Sequence, residues 1–384
     1  MLLLVFALCA AAASEAPGLE KIVVHTPWWP PGSEANAESI GVISGGRVFM
    51  TAIMEGAEWS TVEAAFEAEL SDVSDIALAA GMATNLSGMV SCLVNAQTGK
   101  GARVREVLEA SPDWVVPALT VAEMIGEYGG RFKFTLQCLG VTPDLQPTRT
   151  LQHGNRSRAV VAAGLMEIAV RAKTATEAVQ EAALLATRCA GEEDGLALLL
   201  SCSAYVRLGV AGATDAAELQ ALLSATPVPP ALTIVHAPTS DDAAEAPLLS
   251  LACTALASRP AAQAKTGVHG PDHSYAVISK QHGLVYASGI PVADANATGS
   301  FDSLGALLHL AGTDLSRVLS CRYYMSAVPA EGYPAALFAG FQRTFCVDNP
   351  PPPTRAEYVA VAPGAPEGTT LVSQCTAALP APSE

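Results

Sequence analysis

The stretch Leu199-Leu200-Ser201-Cys202 has two further versions in this chain, Met89-Val90-Ser91-Cys92 and Val318-Leu319-Ser320-Cys321. Each version follows a helix-like apolar segment that closes in Ala-Gly, and each has the apolar run of a buried strand. A second cysteine lies in a later strand pattern of every copy, at Cys138, Cys253 and Cys375. Recurrence of one block along a chain is the signature of an internal repeat. We therefore predict three tandem copies of one unit.

Around these blocks, each copy reads strand, strand, helix, strand, helix, strand, strand. The predicted copies span residues 38–140, 150–254 and 271–380, after a lead-in of residues 1–37. One third of 384 residues is a comfortable size for a small α+β domain. A sheet with two helices on one face leaves its other face bare. The three sheets are therefore expected to cover one another in an intramolecular pseudo-trimer, with a central β-barrel and the helices outside.

The composition excludes some classes of function. The formal charge of −16 would repel a phosphate backbone, so nucleic acid is not expected as a partner. None of the nine cysteines forms a Cys-x-x-Cys pair, so neither a metal site nor a cofactor is predicted. Hydrophobic residues make up 50% of the chain and charged ones 15%, which favours units that pack against each other.

The repeated cysteines allow one disulfide in each copy if their two strands are neighbours in the sheet. The pairs would be Cys92 with Cys138, Cys202 with Cys253, and Cys321 with Cys375. A small buried thiol at each position is the alternative, and the sequence leaves the choice open.

The first 13 residues form an apolar run that is too short to span a bilayer. The run resembles the core of a secretory signal peptide, although the usual Lys or Arg before it is missing. We favour the secretory pathway, with no membrane insertion after processing. Cytosol and mitochondrion are the alternatives.

The third copy resembles a known family. Residues 275–291, Tyr-Ala-Val-Ile-Ser-Lys-Gln-His-Gly-Leu-Val-Tyr-Ala-Ser-Gly-Ile-Pro, are similar to the opening hairpin of the RidA/YjgF family of reactive intermediate (enamine/imine) deaminases, and Pro353-Thr354-Arg355 resembles its Pro-x-Arg signature. The resemblance implies a chorismate-mutase-like fold for each copy. Family members are homotrimers with sites in the clefts between subunits, so this chain would be a fused trimer that acts as a monomer.

The resemblance also implies roles for individual residues. Arg355 would clamp the carboxylate of the substrate with its guanidinium fork, which suits bidentate binding. Tyr275 would line the cleft, and Ser288 with the Gly289 amide would contact substrate or water. The family commonly has a carboxylate on the last strand, but Gln374 stands in the matching stretch. An amide can orient a water and cannot take its proton.

Glu357 lies two residues beyond Arg355 and hence on the same strand face. It would replace the missing carboxylate or form a plain surface ion pair with Arg355. Leu119 and Leu232 are taken to occupy the arginine position in the first two copies, and a leucine cannot bind a carboxylate. The first two copies are therefore expected to be degenerate.

Together these residues predict one inter-repeat cleft, clamped by Arg355, that hydrolyses 2-aminoacrylate-like enamines or imines to a 2-keto acid and ammonia. The partner of the protein would be a small imine or enamine that bears a carboxylate. The alternative is an inactive RidA-like binding or structural module, related to the RidA-like units of eukaryotic diphthine-ammonia ligase.

Overall fold

The computed structural model describes most of the chain. The described residues are 19–31, 39–52, 61–83, 86–112, 114–124, 134–145, 147, 149–207, 210–237, 249–258, 265–270, 274–292, 297–325, 344–345, 352, 354–358, 360–361 and 371–381. The apolar run of the first 13 residues, on which the secretory prediction depends, lies outside them.

The first unit is a six-stranded sheet with two helices. Its strands are β1 (Ile22–Val23), β2 (Gly41–Ser44), β3 (Arg47–Thr51), β4 (Met89–Gln97), β5 (Ala118–Met124) and β6 (Phe134–Val141), in the order β1-β2-β3-β6-β4-β5. The helices are α1 (Val62–Ala79) and α2 (Gly101–Ala110). Only β4 and β5 pair in parallel, as expected for two strands joined by a crossover helix.

The second unit repeats this topology. Its strands are β7 (Arg149–His153), β8 (Ser157–Ala162), β9 (Leu165–Ala172), β10 (Leu199–Arg207), β11 (Ala231–Ala237) and β12 (Leu249–Leu256), in the order β7-β8-β9-β12-β10-β11. Its helices are α3 (Ala175–Ala190) and α4 (Val210–Ser224). Helix α3 begins where Thr174 accepts the backbone N–H of Glu177 at 3.2 Å, and it ends at Gly191, whose φ of 72° suits glycine.

The third unit follows the same plan. Its strands are β13 (Lys265–His269), β14 (Tyr275–Ser279), β15 (Leu284–Val292), β16 (Val318–Met325), β17 (Thr354–Tyr358) and β19 (Leu371–Ala378), in the order β13-β14-β15-β19-β16-β17, with α5 (Ala297–Leu310). The short strand β18 (Ala360–Val361) pairs instead with β11 of the second unit. The second and third units thus carry one more strand at their start, β7 or β13, than the sequence predicted, whereas β1 lies in the lead-in, where residues 21–25 read as a possible short strand.

The cysteine pairs that the sequence left open are disulfides. Cys92 lies directly opposite Cys138, Cys202 opposite Cys253, and Cys321 opposite Cys375, and all three pairs are bonded. Each bond ties the central strand after the first helix to the last strand of its sheet. Such bonds are typical of proteins from an oxidising compartment.

The described strands form three separate sheets, of six, seven and six strands, and no closed barrel. This corrects the predicted central β-barrel. The reason is that the ladders stop at the edge of each sheet, and among the described strands β18 alone pairs with a strand of another unit. The sheets meet through side chains instead.

Polar contacts join each unit to the other two. Ser91 of the first unit approaches Glu167 of the second at 3.5 Å. Ser203 of the second unit donates to Gln374 of the third at 2.7 Å. The third unit returns to the first, where the Gln137 amide donates to Ser320 at 3.1 Å. The contacts therefore run in a cycle around the molecule.

Apolar packing follows the same cycle. Leu93, Tyr205 and Tyr324, one from each unit, share a buried cluster, and the hydroxyls of the two tyrosines lie 2.8 Å apart. In the described part of the chain, no helix is both long and apolar enough to cross a membrane.

Candidate functional sites

Three of the predicted site residues lie together. Tyr275 on β14 is directly opposite Ser288 on β15. The register of β15 against β19 shifts between Ala287 and Ile290, which marks a bulge. Gly289 sits in this bulge with a φ of 62°, a conformation that favours glycine.

These three residues face the second unit. Strands β14 and β15 pack against β10 and β11, and a Cβ added to Gly289 would lie 3.6 Å from the carbonyl oxygen of Leu232. Ser288 is buried, and its hydroxyl has no hydrogen-bond partner among the described residues. Tyr275 is half-buried, and burial raises the pKa of its phenol. The interface between units 2 and 3 thus contains a hydroxyl without a partner among the described residues, beside the predicted tyrosine.

The register of β17 corrects the predicted arginine match. Leu119 and Leu232 lie opposite Cys92 and Cys202, but the residue opposite Cys321 is Thr354. Arg355 lies one position further, opposite Arg322, and matches Thr120 and Thr233 of the other units. The sequence comparison was wrong by one residue because the third copy has an additional proline before the strand. Arg355 and Glu357 have described backbones, and their side chains lie outside the described part of the structure.

The sheet order also separates Arg355 from Tyr275. Strands β15, β19 and β16 lie between β14 and β17, so the two backbones are about 19 Å apart at a strand spacing of about 4.8 Å. Moreover, β16 packs against β2 of the first unit, whereas β14 packs against the second. The single cleft predicted from these residues is therefore divided between two interfaces. The cause is topological, since the last strand of each unit inserts into the middle of its sheet.

Gln374 lies opposite the bulge of β15, because its neighbours Cys375 and Ser373 pair with Ala287 and Ile290. Its side chain accepts the Ser203 hydroxyl and donates to the Ser201 hydroxyl at 3.3 Å, so both ends of the amide bind the second unit. It lines the interior where the three units meet. Its backbone therefore lies beside Ser288 and Gly289 on the neighbouring strand, while its amide binds the second unit rather than the Ser288 hydroxyl.

A cleft that the sequence analysis missed lies between units 1 and 2, with a volume of about 240 Å³. Strands β4 and β5 of the first unit pack there against β8 and β9 of the second, just as β10 and β11 pack against β14 and β15. The residues lining it are Arg105, Glu109, Val116, Pro117, Leu119, Gln152, Asn155, Arg156, Ser157, Arg158 and Ala169. Three of these eleven residues are arginines, and one is acidic.

Strand register shows which residues correspond in the two clefts. Ala159 pairs with Ile168, which pairs with Cys253. Ala276 pairs with Ala287, which pairs with Cys375. The residues just before these alanines therefore match, and Arg158 stands where the third unit has Tyr275.

Arg105 lines the cleft between units 1 and 2, which we call the arginine cleft. Arg105 is 8% exposed, and the contacts that its guanidinium makes with described residues are both 3.5 Å long, to a Glu109 carboxylate oxygen and to the Leu119 carbonyl oxygen. Burial, followed by the neighbouring Arg171, lowers its pKa to about 10. It therefore remains a cation at neutral pH, with poorly satisfied donors.

Arg158 and Arg156 stand on the opposite wall. Arg158 donates to the Val116 carbonyl oxygen of the first unit and, at 3.1 Å, to the Gln152 side chain. Burial lowers the pKa of Arg158, and Glu109 opposes that shift. The charge of this cleft is thus strongly positive, although the whole chain is acidic. The signal available in the sequence was the alternation of Arg156 and Arg158 in a hairpin.

Among residues that the structure describes, no group of His, Cys, Asp and Glu side chains is suited to hold a metal ion. The arginine cleft instead suits an anion, because planar guanidinium groups bind carboxylate and phosphate through paired hydrogen bonds.

No protein-family model matches this sequence, and no curated protein sequence matches it. Among solved structures, a chorismatase superposes with a TM-score of 0.50 at 10% identity, over 86% of this chain and 98% of its own. The YjgF gene product of E. coli matches 31% of this chain and 98% of its own at 19% identity, with a TM-score of 0.25. Rv2704 of Mycobacterium tuberculosis, a YjgF/YER057c/UK114 family member, matches 27% and 84% at 18% identity, with a TM-score of 0.23.

At these identities the likeness concerns the fold. The predicted resemblance to RidA/YjgF structures is confirmed at that level, and single-unit structures match only about a third of the chain, as expected for tandem divergent copies.

Proposed function

We propose that this chain is a single-chain counterpart of a RidA-like trimer that binds a small organic carboxylate in the cleft between units 1 and 2. The cyclic contacts among the three units support the trimer-like arrangement. The observation that carries the binding site is the set of arginines 105, 156 and 158 around one cleft with a single acidic residue, Glu109.

A carboxylate would supply what the cleft lacks. Arg105 is buried, and among the described residues its ionic partner is Glu109, at 3.5 Å and half-exposed, so an anion could pair with it more closely. A charge-assisted hydrogen bond to an anion contributes roughly 1.5–3 kcal/mol. The volume of about 240 Å³ suits a ligand the size of a keto acid rather than a nucleotide.

Deamination is the second candidate function. The observation that favours it is the position of Glu109 in the wall of the cleft. This carboxylate lies beside Arg105, where it is placed to orient or deprotonate a water. An enamine first tautomerises to its imine; water then adds to the C=N carbon, and ammonia leaves as the C=O bond forms. Arg355, about 19 Å from Tyr275 by strand count, is not required in this version of the site.

Calorimetric titration with pyruvate tests the binding proposal. Chorismate joins the panel because the solved chorismatase has the same fold over most of this chain. We expect Arg158→Gln to weaken pyruvate binding by about tenfold or more. Arg355→Gln should leave it unchanged. Absence of binding to the wild type, or equal loss in both variants, overturns the proposal.

The enzymatic candidate needs its own measurement. We would generate 2-aminoacrylate with a dehydratase and follow its decay with wild type, Glu109→Gln and Arg355→Ala. Deamination in the arginine cleft predicts acceleration by wild type and Arg355→Ala, with loss in Glu109→Gln. Decay at the spontaneous rate with all three proteins would leave a binding protein without this activity.

A further inference from the structure

A second cavity lies at the centre of the molecule, where the three units meet. Its volume is about 110 Å³, and every unit contributes residues to its wall. Equivalent strand positions hold Phe49, Glu167 and Tyr286, each one residue before the strand partner of the second cysteine of its unit. The divergence of these three residues has placed a carboxylate, a phenol and an apolar ring around one space.

Two arginines face this cavity. Arg47 is 7% exposed and donates to the Ala163 carbonyl oxygen at 2.9 Å. Arg322 donates through Nε to the Gln137 side chain. Their remaining N–H groups have no hydrogen-bond partner among the described residues. Each guanidinium has five N–H donors, so most of their capacity is unused.

One carboxylate and one hydroxyl complete the wall. Glu167 accepts the Thr254 hydroxyl at 3.0 Å, and its accessible surface is the part that lines the cavity. Tyr286 is 6% exposed, and no hydrogen bond to its hydroxyl is found within the described part of the chain. Because Tyr286 lines the cavity, its hydroxyl is available to donate to an acceptor there.

We propose that the central cavity binds one small monovalent anion of a few heavy atoms, held by Arg47, Arg322 and the Tyr286 hydroxyl. Two guanidinium groups and one carboxylate leave an excess positive charge in the protein interior, and uncompensated buried charge is strongly unfavourable. An anion neutralises that excess and accepts the free N–H and O–H donors. By this measure the cavity is less than half the volume of the arginine cleft, which favours a smaller anion here.

Glu167 makes this binding dependent on pH. Burial raises its pKa to about 7, and Arg322 and Arg47 oppose the shift. Protonation of Glu167 removes the one negative charge of the wall, so anion affinity rises as the pH falls through about 7. Tyr286 stays neutral because burial raises its pKa, and His282 beside Arg47 stays neutral because burial lowers its pKa to about 4.

Crystals of the whole chain soaked in sodium bromide locate the site directly. At about pH 5.5 we expect an anomalous bromine peak between Arg47 and Arg322, weaker at about pH 8.5. Wild type without a peak at the lower pH refutes the proposal, and the cavity then holds water only.

Formate titration of single-site variants distinguishes binding in the central cavity from binding in the arginine cleft. Arg322→Gln should weaken the central site about tenfold, whereas Arg158→Gln should not affect it. Glu167→Gln should bind formate at about pH 8.5 as tightly as wild type does at about pH 5.5. The Glu167→Gln result can be interpreted even if Arg322→Gln fails to fold. Unchanged formate affinity in both Arg322→Gln and Glu167→Gln contradicts this proposal and leaves the proposal for the arginine cleft unaffected.

Discussion

The cleft between units 1 and 2 and the cleft between units 2 and 3 occupy the same place in the fold and have different chemistry. The first presents Arg158 where the second presents Tyr275, and Ala169 where the second presents Ser288. In a homotrimer the three clefts share one sequence. In this single chain the matched positions differ, so the residues that resemble the RidA/YjgF motif and the residues that carry positive charge lie at different interfaces.

The second unit supplies one wall to both clefts, through β8 and β9 on one side and β10 and β11 on the other. Its disulfide, Cys202–Cys253, closes a sequence separation of 51 residues. Replacing both cysteines by alanine should destabilise the protein by about 2–4 kcal/mol, mainly because the unfolded chain gains freedom. Thermal unfolding in the absence of reductant measures this, and pyruvate binding in the cleft between units 1 and 2 should weaken with it.

Cys189→Ala is the matched control, since Cys189 is a free, half-buried thiol. It should shift the unfolding temperature far less than the double variant. Equal shifts would mean that the cross-strand bond does not stabilise the unit, and that the two clefts do not depend on it.

Exchanging the matched residues tests whether their chemistry alone distinguishes the clefts. Arg158→Tyr should reduce carboxylate affinity in the arginine cleft by about ten- to hundredfold, because a charge-assisted hydrogen bond is lost. Tyr275→Arg should not create the same affinity between units 2 and 3. Strand β11, which contains Leu232, lies beside Tyr275 there, and the described residues include no counterpart of buried Arg105. Pyruvate titration of both variants is the measurement. Full affinity in Arg158→Tyr would assign binding to another part of the molecule.

The interior differs from both clefts in its pH dependence. The pKa of Glu167 is raised from its ordinary value of 4.5 to about 7, so the fold favours its neutral form. The contribution of neutral Glu167 to the free energy of unfolding is therefore full below about pH 4.5, and it is lost as the pH rises through about 7. Glu167→Gln should not show this loss. We expect its advantage over wild type to grow to about 1–2 kcal/mol at neutral pH, discounted for the exposure of Glu167 to the cavity.

Denaturant unfolding of both proteins at several pH values measures that difference. Arg158 lies in the arginine cleft and not in the wall of the central cavity, so Arg158→Gln should follow the wild-type pH curve. Parallel curves for wild type and Glu167→Gln would show that this carboxylate is not held neutral.

The sequence was sufficient for the repeat, the order of most elements and the neighbouring cysteine strands, because these follow from apolar periodicity and from spacing. It was not sufficient for the site. Arg355 was matched to Leu119 by adjacent prolines, whereas the strand ladder matches it to Thr120. The separation of Tyr275 from Arg355 depends on where β19 inserts, and the arginine cleft joins a helix of one unit to a hairpin of the next. Such long-range juxtapositions leave no local pattern.

The smallest expected effect concerns the bulge at Gly289, which has no counterpart in the described strands of unit 2. Unit 2 pairs β9 with β12 without a break, and Val170 stands where unit 3 has Gly289. Gly289→Ala should cost about 1 kcal/mol, because alanine is strained at a φ of 62° while its Cβ would find space 3.6 Å from Leu232. Gly191→Ala, at a φ of 72° in open space, is the matched control and should cost about the same. A much larger cost at Gly289 alone would mean that the bulge packs tightly against the second unit. The interface around Tyr275 and Ser288 would then leave no space for an added methyl group.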